Sequence, residues 1–113
     1  MFIPVPMLEG KEIPDVKEDF RTSAKIEQYR IGKEALYLPE GLRWKYLPYR
    51  AIRQADESFR VISAGHCVPV REKRPEIDLV IETGTVHLSL EKPESLRKLL
   101  DAINAATSPE TVN

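Results

Sequence analysis

The stretch from Glu76 to Ile103, EIDLVIETGTVHLSLEKPESLRKLLDAI, changes its hydrophobic period partway along. That change restricts the possible folds more than any other feature of the chain. Ile77, Leu79 and Ile81 alternate with polar neighbours, so they share one face of an extended strand. After a turn centred on Thr83 and Gly84, Val86, Leu88 and Leu90 share one face of a returning strand, with His87 and Ser89 on the other. This pattern is that of a half-buried antiparallel hairpin, with one side on a core and one side in water. Beyond Pro93 the period becomes helical, because Leu96, Leu99, Leu100 and Ile103 recur at i, i+3, i+4 and i+7. Pro93 suits the first helical position, Glu94 sits near the positive end of the helix dipole, and Pro109 lies past the end. Such a helix has to bury its apolar stripe, and a sheet is the only surface in the chain large enough to receive it.

The residues upstream supply the rest of that sheet. KIEQYRI, residues 25–31, reads as one strand, Gly32 and Lys33 as a turn, and EALYL as the strand that returns. Pro39-Glu40-Gly41 carries turn chemistry. The run from Arg43 to Tyr49 places Trp44 and Tyr46 on one face, which is expected to face the core. A further strand is expected over Ser58–Ser63. The tripeptide Tyr-Leu-Pro occurs twice, at residues 37–39 and 46–48. Pro39 is expected to stop its strand, and Pro48 to mark an edge or a bulge, because proline removes a ladder donor. About six to seven antiparallel strands followed by one amphipathic helix make an α+β plan. The strands would curl into a partly open β-barrel or two packed sheets, capped by the C-terminal helix.

At 113 residues the chain accommodates one core and not two full domains. The expected division is an extended, proline-containing arm over 1–23, a domain over 24–107 and a tail over 108–113. In the arm, Phe2, Ile3, Val5, Met7 and Leu8 are costly to leave in water, so the segment should lie on the protein's own surface or on that of a second copy. Cys67 is the only cysteine, which excludes an internal disulfide. No apolar run approaches the roughly 20 residues that span a bilayer. The N-terminus lacks the basic region of a signal peptide, so a cytoplasmic location is expected. A net charge of -1 gives no global attraction to nucleic acid or anionic membrane.

The segments ALYLPE, WKYLPYRAI and the hairpin running into the final helix together resemble the small bacterial proteins with a pleckstrin-homology-like barrel. The resemblance covers roughly residues 24 to 106. It implies a noncatalytic interaction domain rather than an enzyme. Phosphoinositide-binding members carry converging lysines and arginines around the first hairpin loop; here that turn is Gly32-Lys33-Glu34, one base beside one acid. The resemblance therefore carries no phosphoinositide site to this chain.

Three candidate sites remain, each weighed against a plainer reading. Arg43, Lys45, Arg50 and Arg53 would form an anion-binding or lipid-headgroup stripe if they converged, although such charges are usually a solvated face. His66 and Cys67 pair an imidazole with a thiol in a glycine- and proline-containing loop, with Asp56 or Glu57 as an orienting acid, the arrangement of a small cysteine-dependent enzyme. Adjacent residues seldom point the same way, and the spacing of histidines and cysteine fits no zinc site. The basic run Arg71, Lys73 and Arg74 is interleaved with acids and reads as a solvated loop, and Asp15, Glu18 and Asp19 read as solvated too. No catalytic residue, metal ligand or cofactor is therefore assigned. The leading expectation is binding of a protein or peptide, or self-association, through a strand edge and the N-terminal arm.

Overall fold

The computed structural model describes residues 3–8, 10–63 and 71–107, with 59–63 and 71–73 described by backbone alone. The chain forms β1 (Val5–Pro6), α1 (Val16–Arg21), β2 (Ala24–Ile26), β3 (Tyr29–Ile31), β4 (Ala35–Glu40) and β5 (Arg43–Pro48). A single 3-10 turn, Tyr49–Ala51, leads on to β6 (Gln54–Ser63), β7 (Arg71–Ile81), β8 (Gly84–Ser89) and α2 (Pro93–Thr107). The strands make a five-stranded sheet of order β1-β5-β4-β3-β2 and a three-stranded sheet of order β6-β7-β8. All pairings are antiparallel except that of β1 with β5. The α+β class, the two sheets and the C-terminal helix agree with the sequence. Of the two expected arrangements, two sheets are what the described strands form, and they close no barrel.

The main core lies between the two sheets and α2. Leu36 and Leu47 from the first sheet, Ile77, Leu79 and Leu88 from the second, and Leu99 and Ile103 from α2 are fully buried there. The face assignments for the β7–β8 hairpin and the α2 stripe hold residue for residue. A smaller cluster covers the opposite face of the five-stranded sheet, where Ala35, Tyr37 and Tyr46 pack with Ile13, Val16, Phe20 and Trp44. Strands β4 and β5 are therefore buried on both faces. The two Tyr-Leu-Pro steps meet here: Tyr37 and Tyr46 are direct cross-strand partners, their ring centroids 6.0 Å apart. Pro39 stands within β4, one residue before its end. Pro48 ends β5 opposite Ala35 and opens the 3-10 turn, so it is a terminus rather than a bulge.

Three expectations are corrected. Residues 25–31 are not one strand but a tight hairpin, because Glu27 adopts a left-handed conformation (φ 54°) and turns β2 back as β3. The arm is not extended throughout: Val16 and Phe20 stand one helical turn apart and form the apolar side of α1. The run from Arg71 to Arg74 is no loop but the beginning of β7, paired to the end of β6. Among the described residues, no helix is long and apolar enough to cross a membrane.

Candidate functional site

The four expected binding cations are dispersed. Arg43 begins β5, whereas Arg50 and Arg53 lie beyond its other end; six residues of strand separate the two ends by roughly 17 Å. Lys45 Nζ is 3.0 Å from Glu40 Oε1 on the neighbouring strand. Arg50 donates to the Glu12 carbonyl at 2.9 Å, and so anchors the N-terminal segment instead of facing outward as a free charge. The backbone N–H of Arg53 donates to the Val80 carbonyl, joining the 3-10 turn to the second sheet. These residues form no common pocket.

The arm docks on its own chain. Val5 and Pro6 pair with Lys45 and Tyr46, Met7 N–H donates to the Tyr46 carbonyl, and Leu8 is buried in the main core with Met7 packed against it. Ile3 and Val5 remain exposed. Phe2 lies outside the described residues, as do His66 and Cys67. Of the acids expected to orient that pair, Asp56 accepts from the Gln54 amide, and Glu57 faces Arg97 across 3.4 Å.

The most buried carboxylate among the described residues was read as solvated in the sequence. Asp19, only 7% exposed, points from α1 into the β3–β4 turn. Its Oδ1 accepts from the backbone N–H of Lys33 at 2.8 Å, its carboxylate also accepts from that of Glu34, and its Oδ2 accepts from the Tyr37 hydroxyl at 2.7 Å. The approach is so close that a Cβ on Gly32 would lie 2.1 Å from Oδ2. Tyr49 donates to the Gly32 carbonyl from the other side. Burial, followed by the hydrogen bond to Asp19, pushes the Tyr37 hydroxyl far above its ordinary pKa; burial and the same carboxylate push Tyr49 up as well. Neither phenol is suited to proton transfer. Every donor here is occupied internally, so the cluster is a structural clamp. The sequence signal that marks it is the Gly32 turn following an acid in an amphipathic turn of helix.

Two features of the second sheet lie toward the outside of the fold. One is the free edge of β6: all ten residues pair with β7 on one side, and among the described residues no strand pairs with the other. Alongside, under the first turns of α2, runs an open cleft of about 960 Å³ whose described lining includes Glu57, Ser58, Pro75, Pro93, Leu96 and Arg97. The other is the solvent face of the β7–β8 hairpin. Asp78 and His87 are direct cross-strand partners with Oδ1 and Nδ1 2.7 Å apart, and Glu76 stands one step along the same face. One ligand atom from each of the three lies within 4.8 Å of the others.

No family model, curated protein or solved structure matches this chain.

Proposed function

We propose that this chain is a noncatalytic interaction module that receives an extended peptide segment along the free edge of β6, beside α2. The observation that carries the reading is the length of that edge. Over ten residues, alternate ones direct their main-chain N–H and C=O groups away from β7, where no strand among the described residues meets them, a template for an added strand. The cleft under α2 supplies the side-chain selectivity that main-chain pairing lacks, with Pro75, Pro93 and Leu96 as its apolar lining. Glu57 and Glu94 line it together with Arg97, a small acidic excess that favours a partner strand that places lysine or arginine near an apolar residue.

The order of four meandering strands, three meandering strands and a helix supports the pleckstrin-homology-like reading of the fold. Assembly through the N-terminal arm has less support, since Met7 and Leu8 are occupied in the chain's own core. The dispersal of Arg43, Lys45, Arg50 and Arg53 leaves the anion-binding reading without a pocket.

A titration of the isotopically labelled protein with short peptides alternating Lys or Arg with Val or Leu tests this reading. The amide resonances of residues 54–63 should shift. Methylating alternate backbone nitrogens of the peptide removes two or three main-chain hydrogen bonds at roughly 1 kcal/mol each, so affinity should fall about 30- to 150-fold. An N-methylated peptide that binds as well as its parent, or shifts centred on Arg43 and Arg50, would overturn the proposal.

A further inference from the structure

The geometry points to a second site, separate from the strand edge: a binding site for a borderline divalent cation of the first transition row, Zn²⁺ or its neighbours, formed by Glu76, Asp78 and His87. The site is assembled by register. Residues 76 and 78 are two apart on β7 and so project to one face, while His87 lies directly opposite Asp78 on β8. Their ligand atoms gather within 4.8 Å, and the His87 Nδ1 to Asp78 Oδ1 distance of 2.7 Å needs to open by only about 0.7 Å to reach the roughly 3.4 Å between ligands on a tetrahedral ion with bonds near 2.1 Å.

The electrostatics of the same face provide an independent reason for a cation there. Asp56 on β6 is the direct cross-strand partner of Asp78, so two carboxylates stand opposite each other with Glu76 beside them. Like charges in directly opposed positions destabilise a sheet. Arg74 shares the face two residues before Glu76, at the far side of the group from His87. A divalent ion between Asp78, Glu76 and His87 relieves the repulsion where the imidazole already points.

The donor set determines the class of ion. Mg²⁺ and Ca²⁺ take oxygen ligands almost exclusively, whereas one imidazole with two carboxylates suits Zn²⁺, Co²⁺, Ni²⁺ or Mn²⁺. Without metal, His87 Nδ1 and Asp78 Oδ1 lie within hydrogen-bond distance; to ligate through Nδ1 the ring has to carry its N–H on Nε2. The His87 side chain is 60% exposed and that of Asp78 31%. Three protein ligands at an accessible surface leave the remaining positions to water, the open form of such sites rather than the closed structural one.

The test is calorimetric titration of the whole chain with Zn²⁺, repeated on His87→Ala, Glu76→Gln and Asp78→Asn, with circular dichroism to confirm that each variant is folded. One ion should bind per chain, each of the three substitutions should weaken it at least about tenfold, and Co²⁺ should develop visible absorption bands that His87→Ala abolishes. His66→Ala and Cys67→Ser, the chain's other imidazole and its thiol, should leave Zn²⁺ affinity unchanged. The proposal fails if Zn²⁺ does not bind at millimolar concentration, if His66→Ala or Cys67→Ser removes binding while His87→Ala does not, or if Mg²⁺ binds as tightly as Zn²⁺.

Discussion

Asp19 and Gly32 define one another. The carboxylate can enter the β3–β4 turn only because residue 32 has no side chain, and the turn's backbone donors are satisfied only because the carboxylate is there. Replacing Asp19 by Ala leaves the Tyr37 hydroxyl and two backbone N–H groups without their acceptor, a loss of about 2–4 kcal/mol. Gly32→Ala pushes the carboxylate out and should cost a similar amount. The two costs should add only in part, because both substitutions remove the same carboxylate contacts, while a Cβ at residue 32 would also press on the Tyr37 ring at 2.9 Å. A urea-denaturation double-mutant cycle checks this: Gly32→Ala introduced into Asp19→Ala should cost much less than in the parent, and full additivity would mean that the two sites act independently. The glycine turn was visible in the sequence. Its occupant was not, because an acid on a short helix looks solvated until the helix is docked.

Between elements, the joint that most needs explaining is the one holding α2 to the β2–β3 hairpin. Glu27 takes a left-handed backbone to make that turn, and its side chain then reaches the start of α2. Its two carboxylate oxygens accept from the backbone N–H groups of Glu91 at 2.8 Å and Lys92 at 3.0 Å. Partial burial alone would raise the Glu27 carboxyl; these hydrogen bonds and one involving Ser95 outweigh it and hold the group below its ordinary pKa. A depressed carboxyl contributes stability above the unfolded-state value near 4.5, and that stability is lost as pH falls through the folded-state value. Glu27→Ala should therefore lower stability by about 1 kcal/mol at neutral pH, a figure kept small by the joint's exposure to solvent. Thermal unfolding of parent and variant should converge as pH is taken below that value; a gap independent of pH would place the effect in the turn backbone instead of the carboxylate. Reading residues 25–31 as a single strand concealed this joint: Tyr29 and Ile31 keep strand alternation while Ile26 falls on the opposite parity, and that break does not by itself mark a left-handed turn at a glutamate.

At the scale of the molecule, the five-stranded sheet is a shared wall, with the main core on one side and the cluster of Phe20, Tyr37, Trp44 and Tyr46 on the other. Adjacent residues of β4 serve both: Leu36 belongs to one cluster, Ala35 and Tyr37 to the other. Loss of either should expose the wall and so the whole structure. Urea unfolding followed by Trp44 fluorescence, which reports the smaller cluster, should coincide with unfolding followed by far-ultraviolet circular dichroism. An earlier fluorescence transition would show α1 and its cluster leaving as a separate unit. The sequence by itself determined the α+β class, the β7–β8 hairpin, the helix that follows it and the faces that each of them buries. Those features rest on period and on proline and glycine chemistry, which act between near neighbours. Only the tertiary structure decided that the arm returns to pair with β5, that Asp19 enters a distant turn, that Arg43 and Arg50 part company, and that Glu76, Asp78 and His87 come together. The first two depend on docking between segments well separated in the chain, and local pattern carries no record of which far segment a strand will meet. The last two depend on where strand β5 ends and on the exact register of the β7–β8 hairpin, which periodicity alone does not fix.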